Sequence, residues 1–196
     1  MSFRKEKKFY LTKINQELLK SSLMEKGMTI LYPKRIINSY YFDTNNLNCF
    51  HDSQNGILPR YKVRVRSYGE SKDFFKEIKI SSIEGRFKKS HKLFEKNFLQ
   101  MKNSGYFFKE IGLLKPSIIV NYKRGYFLFK HLRITFDEEI NYINCRSINK
   151  TKFYESGTVM EIKTDMTTSE DYLESIINLQ PTSFSKYSRG ILKCNL

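Results

Sequence analysis

The stretch RYKVRVRSYG, residues 60–69, sets Arg60, Lys62, Arg64 and Arg66 at every second position, with Tyr61, Val63 and Val65 between them. A strand sends alternate side chains to opposite faces, so the cations stand in one row about 7 Å apart while the valines turn to the other side. Alternation of charged and apolar residues is the ordinary mark of a half-buried antiparallel strand, and a wet sheet face is its plainest explanation. The neighbouring runs decide whether the row is more than that.

The same alternation recurs along the chain. FFKEIKIS sets Glu77 and Lys79 on one face, VNYKRGYF offers Arg124, and LRITFDEEI groups Arg133, Thr135 and Asp137. VMEIKT groups Glu161 with Lys163, and FRKEKKF aligns Arg4, Glu6 and Lys8. One charged face is a wet surface. The same polar set on several strands, with aromatic and aliphatic residues behind it, predicts faces that converge. An α+β fold, a closed antiparallel β-barrel with a charged lumen and helices packed outside, accounts for the pattern.

The remaining signals fit a single domain over residues 1–196. A chain of 196 residues that is 40% hydrophobic and 15% aromatic builds one well-packed core and is short for two. Strands are predicted over 8–13, 38–44, 61–68, 73–82, 85–91, 117–129, 132–140 and 158–164, separated by turn residues such as SYGESKD and SIEG. Helical periodicity predicts Asn15 to Lys26, Lys92 to Lys102 and Ser169 to Leu179, the last with Thr168 or Ser169 as N-cap. Pro33, Pro59, Pro116 and Pro181 are read as boundaries of elements. Cys49, Cys145 and Cys194 are widely spaced and odd in number, so free thiols in a reducing compartment are expected. MSFRKEKKFYL has no apolar run behind its charges, and no stretch reaches the roughly 18 apolar residues of a membrane span. A cytoplasmic location is expected.

The formal charge of +15 costs self-repulsion in the compact state, and an anionic partner relieves it. Inward cations cannot lose water without counter-charges, so a basic lumen is wet or holds an anion. Phosphate suits it, because arginine forks bind phosphate oxygens bidentately and lysines add point charges. Nucleic acid is not expected: its binding favours aromatics interleaved with basic residues on one open surface, whereas these basic residues alternate on strands read as closing.

The series RKEKKF, YYFDT, RYKVRVRSYG, FFKEIK, GRFKKS, VNYKRGYF, RITFD, VMEIK and FSKYSRGI, in this order from about Arg4 to Ile191, resembles the VTC domain. That domain is the polyphosphate polymerase of the vacuolar transporter chaperone, in the triphosphate tunnel metalloenzyme superfamily. The resemblance implies an eight-stranded tunnel that binds ATP, with polyphosphate or inorganic triphosphate as the other phosphate species handled. Matched by motif, Lys8 is the N-terminal tunnel lysine, Arg64 and Arg66 the RxR pair, and Lys79 the lysine of the ExK strand. Lys88 or Lys89 follows the hairpin, Arg124 follows the asparagine-aromatic step, and Lys186 and Arg189 are the two basic positions near the C-terminus. Arg4, Arg60, Lys62, Arg133 and Lys163 are further candidates for binding substrate. Glu161 matches the metal-binding glutamate for Mn²⁺ or Mg²⁺, with Glu6 or Glu77 as helpers.

Phosphoryl transfer is mostly positioning and charge neutralisation, and a phosphate acceptor is already ionised at neutral pH, so no poised base is required. His51, His91 and His131 are accordingly read as surface or rim residues. RKEKK departs from the ExExK opening of many tunnel enzymes, since Arg4 stands where a carboxylate is usual, and Arg189 stands where a lysine is usual. One fewer acid suits phosphate-chain handling better than two-metal activation of water. A regulatory domain and membrane segments are not seen in the sequence, so any product is expected to stay in the cytoplasm unless a membrane partner protein moves it. A tunnel hydrolase of triphosphate or nucleoside triphosphate and a non-enzymatic polyanion-binding module stand as the alternatives.

Overall fold

A computed structural model of the chain describes residues 4–196. In chain order the elements are β1 (Arg4–Leu11), α1 (Lys13–Glu25), β2 (Thr29–Asp43), α2 (Asn48–Gln54), β3 (Arg60–Tyr68), β4 (Phe74–Ser82), β5 (Gly85–Leu93) and α3 (Glu95–Ser104). They continue with β6 (Tyr106–Phe108), β7 (Gly112–Phe129), β8 (Leu132–Asn144), β9 (Lys152–Tyr154), β10 (Thr158–Asp165), α4 (Glu170–Ile176) and α5 (Lys186–Lys193). The strands hydrogen-bond in the order β1-β10-β8-β7-β2-β3-β4-β5, with β6 on β7 and β9 on β8, making ten in all. The α+β class stands. The order is a path ending at β1 and β5, where the sequence led to a closed ring of eight; β6 and β9, of three residues each, are too short to show a period.

The helix ends follow capping chemistry. Thr12 accepts the Asn15 N–H at 3.1 Å and opens α1, and Ser169 accepts the Tyr172 N–H at 3.2 Å and opens α4, where Glu170 and Asp171 sit in the positive first turn. Helix α3 begins later than its periodicity suggested, because Lys92 and Leu93 complete β5, with Leu93 directly across from Phe74. Helix α2 was not foreseen; its seven residues are too few for an apolar stripe to register. Pro33 and Pro116 prove to lie inside β2 and β7, not at boundaries: a proline φ fits an extended strand, and the cost is one missing ladder donor.

Two compact units divide the described chain. The first takes in the chain up to Arg35, Tyr122–Ile140 and Glu155–Phe184. Its apolar faces meet around Phe9, Leu11, Phe127, Ile134, Phe136, Met160 and Ile162, with Leu23 of α1 and Leu173 of α4 against them. The second takes in Ile36–Asn121, Asn141–Tyr154 and Ser185–Leu196. There the valines of the opening stretch, Val63 and Val65, are fully buried with Phe42 and Ile78 under Phe98 and Met101 of α3. Each such side chain stabilises its unit by about 1.5–3 kcal/mol, which is what commits the alternate residues to the opposite face.

Candidate functional site

In the second unit the register of β3, β4 and β5 stacks the polar residues in rows. Lys62 stands directly opposite Lys79, and Lys79 opposite Lys88. Arg64 stands opposite Glu77 and Glu77 opposite Ser90, while Arg60, Ser81 and Arg86 form the next row. Like charges in directly opposed positions destabilise a sheet, each pair by a few tenths of a kcal/mol or more. Three lysines thus stand abreast on this face.

One carboxylate organises this face. Glu77 is 3% exposed; its Oε2 accepts Arg64 Nε at 2.7 Å and Nη2 at 2.6 Å, and its Oε1 accepts Lys88 Nζ at 2.5 Å with Arg66 Nη1 at 3.8 Å. Burial works to raise the Glu77 carboxyl, but Arg64, Arg66 and Lys88 outweigh it and hold it down at about 2. Arg64 also donates through Nη1 to the Tyr41 hydroxyl at 3.0 Å. Lys62 donates to Ser185 Oγ at 3.0 Å, and Ser185 caps α5, the helix that carries Lys186 and Arg189.

The first unit is built differently. Lys8 pairs in register with Glu161, Glu6 with Lys163, Glu161 with Thr135, and Lys163 with Arg133, so unlike charges face each other across β1 and β10 while two cations meet across β10 and β8. Glu161, 7% exposed, accepts Lys163 Nζ at 2.9 Å, and Glu6 lies 3.5 Å from Lys8 and 3.9 Å from Lys163. Burial pushes the Glu161 carboxyl up, but Lys163, Arg124 and Lys8 hold it well below the usual carboxylate range. Lys8 Nζ donates to the Phe184 carbonyl at 3.1 Å. Arg124 forks onto the fully buried Asp137, Nε to Oδ1 at 2.5 Å and Nη2 to Oδ2 at 2.7 Å. Burial works against the Arg124 charge, and Asp137 more than restores it.

Most of the residues singled out in the sequence gather on these two faces. Lys8, Glu6, Arg124, Arg133, Glu161 and Lys163 share the first, while Arg60, Lys62, Arg64, Arg66, Glu77, Lys79 and Lys88 share the second. Lys88 stands in the lysine row, whereas Lys89 pairs in register with Ile78. Arg4 opens β1 across from Asp165. Glu77, expected as a metal helper, has both oxygens on cations. The three histidines are exposed, as expected. The sequence reading did not assign roles to Asp137, Thr135, Tyr41, Asp43 or Tyr187. Asp137 and Thr135 were legible from their spacing with Arg133; nothing local marks Tyr187, which is buried on a helix not foreseen.

A divalent metal takes one or two carboxylates and completes its shell on phosphate oxygens and water. Among the described residues no three His, Cys, Asp or Glu side chains gather into a ligand cluster. The first unit nevertheless fits such an ion. Glu161 stays ionised, Glu6 lies on the adjacent strand, and the buried Thr135 hydroxyl, on the residue directly across from Glu161, has no hydrogen-bond partner.

Solved structures with this fold have distant sequences. A putative adenylate cyclase from Bacillus halodurans matches with a TM-score of 0.66 at 15% identity, over 96% of this chain and 97% of that one. A putative adenylyl cyclase from Hippeastrum, described as having a dominant triphosphatase activity, matches at 0.61 and 10% identity over 98% and 96%. A conserved hypothetical protein from Pyrococcus furiosus matches at 0.59 and 12% over 94% and 99%. No curated protein sequence matches. At these identities the likeness is one of fold. The VTC domain model matches residues 3–195, and the chain belongs to that family.

Proposed function

We propose that this chain is a metal-dependent phosphotransferase that moves the γ-phosphoryl group of ATP onto the end of a polyphosphate chain. The carrying observation is the row Lys62, Lys79, Lys88 beside Arg64 and Arg66: directly opposed cations on three adjacent strands lose their repulsion when an anion with regularly spaced charges lies along them. Membership of the VTC domain family supports the same reading.

In the reaction a terminal oxygen of the acceptor chain attacks the γ-phosphorus, the bond from that phosphorus to the β–γ bridging oxygen breaks, and ADP leaves with the electron pair. The attacking oxygen is already ionised, so the protein's task is to align two polyanions and neutralise charge as it spreads over the transferring group. Arg64 and Arg66, fixed by Glu77, bind phosphate with forks of set direction; Lys79, Lys88, Lys186 and Arg189 add charge. Arg124, Lys8, Arg133 and Lys163 bind phosphate in the first unit. Glu161, with Glu6 and Thr135, would hold Mn²⁺ or Mg²⁺, which when bound screens the phosphate charge and polarises the transferring group.

Hydrolysis of a triphosphate is the second reading, favoured by the activity stated for the Hippeastrum structure. The test is to incubate the purified chain with ATP and Mn²⁺ and resolve the products. Polyphosphate with an equal amount of ADP establishes the transferase. Orthophosphate with ADP, or free pyrophosphate, replaces it with a hydrolase or nucleotidyl transfer. Absence of turnover with large thermal stabilisation by tripolyphosphate reduces it to a binding module.

A further inference from the structure

We propose that Asp43 and Tyr187 are positioning residues that hold Arg64 and the basic helix α5 in place for phosphate, a role that rests on the phosphate reading above. Asp43 is fully buried at the end of β2, yet among the described residues it is not paired with a cation in the manner of Glu77 or Asp137. Its Oδ1 accepts the N–H groups of Thr44 at 2.7 Å and Cys49 at 2.9 Å, and its Oδ2 accepts the Phe50 N–H at 3.0 Å together with the Tyr187 hydroxyl. The backbone donors tie the carboxylate to the start of α2; the hydroxyl ties it to α5.

Tyr187 passes this constraint on. Its ring stacks on Tyr41 with centroids 5.1 Å apart and planes 22° apart, and the Tyr41 hydroxyl is the one that accepts Arg64 Nη1. Arg64 is thus set from two sides, by Glu77 across β4 and by Tyr41 backed by Tyr187. The same helix is anchored at its start, where Lys62 donates to the capping hydroxyl of Ser185. It is anchored again at Gly190, where an added Cβ would fall 2.3 Å from Ile118 Cδ1 and 2.7 Å from Tyr142 Cδ1. Lys186 and Arg189, three residues apart on α5, share a stripe distinct from that of the buried Tyr187 and Ile191. Burial and the Asp43 charge both push the Tyr187 hydroxyl up, so it keeps its proton and donates at any working pH.

Packing alone would dock α5 with an apolar residue at 187. A hydroxyl aimed at a buried carboxylate adds a direction, which fixes the ring that backs Tyr41 and hence the guanidinium. The test is a double-mutant cycle on tripolyphosphate affinity, measured calorimetrically with the full chain. Tyr187→Phe keeps the stacked ring and removes the bond to Asp43; Arg64→Lys keeps the charge and removes the fork that meets Tyr41. The expected result is a loss of about tenfold for Tyr187→Phe in the wild-type background and less than about twofold in Arg64→Lys. Asp43→Asn, run through the same cycle, gives the same coupling and guards against a folding defect peculiar to one variant. Equal losses in both backgrounds, or none in either, overturn the positioning role while leaving phosphate binding intact. A wild-type chain that does not bind tripolyphosphate overturns the phosphate reading and this role with it.

Discussion

Both units carry the same device, a strand-borne arginine forked onto a buried carboxylate, in opposite electrostatic settings. Arg124 on Asp137 sits among mixed signs, where Lys8 faces Glu161 and Glu6 faces Lys163, with Arg133 across from Lys163 on the other side. Arg64 on Glu77 sits beside Lys62, Lys79 and Lys88 abreast. Opposed unlike charges satisfy one another, whereas the repulsion of opposed like charges is relieved by an anion lying along them. On the proposed function, the first face is the one suited to a metal and the second the one suited to phosphate.

The largest effect is expected from cutting the arginine fork in the phosphate-suited unit. Arg64→Ala leaves Glu77 buried with fewer partners, so it should cost roughly 3–5 kcal/mol of stability by chemical denaturation. It should also abolish turnover; a variant folded at working temperature that turns over at the wild-type rate breaks the comparison outright.

An acid titration sharpens it next. Glu77 is held at about 2 against an ordinary 4.5, so its contribution is full above pH 4.5 and is lost as pH falls through about 2. A gap of 2.5 pH units corresponds to about 3 kcal/mol. The unfolding free energies of wild type and Glu77→Gln should converge by roughly that amount between pH 6 and pH 2. A constant difference would mean that Arg64 and Arg66 do not depend on the Glu77 charge.

The metal-suited face is probed by Glu161→Gln, which should raise the Mn²⁺ concentration needed for half-maximal activity about tenfold while leaving tripolyphosphate binding without metal nearly unchanged. An unaltered metal titration removes Glu161 from the metal site. The smallest effect is expected at Lys79→Gln. Relieving one row of repulsion should raise stability without ligand by a few tenths of a kcal/mol and shrink the thermal shift given by tripolyphosphate. A loss of stability would show that the row is already balanced.

How far the sequence could be read depended on how local each cause was. Alternation in RYKVRVRSYG placed Val63 and Val65 inside and the cations together, and both hold, because side-chain direction in a strand is set by its neighbours in the chain. Helical periodicity placed α1, and periodicity with a capping residue placed α4, within a few residues. Lys88 and Lys89 could not be told apart until the β4–β5 register was known, since a shift of one residue exchanges the faces. Glu77 and Glu161 look alike in sequence, each two residues before a lysine on a strand. Only the fold gives one to arginines and the other to lysines beside an unbonded threonine hydroxyl.

The sequence by itself determined the alternation in most of the long strands, the basic excess, most of the residues on each polar face and the resemblance to the VTC domain, because these depend on residue type and spacing. Tertiary structure alone decided which charges stand opposite each other, that three lysines lie abreast, that Asp43 meets Tyr187 from the far end of the chain, and that SKYSRG is a helix. Pairing register and long-range packing join residues that the chain keeps far apart, and no local pattern encodes the partner that such a contact selects.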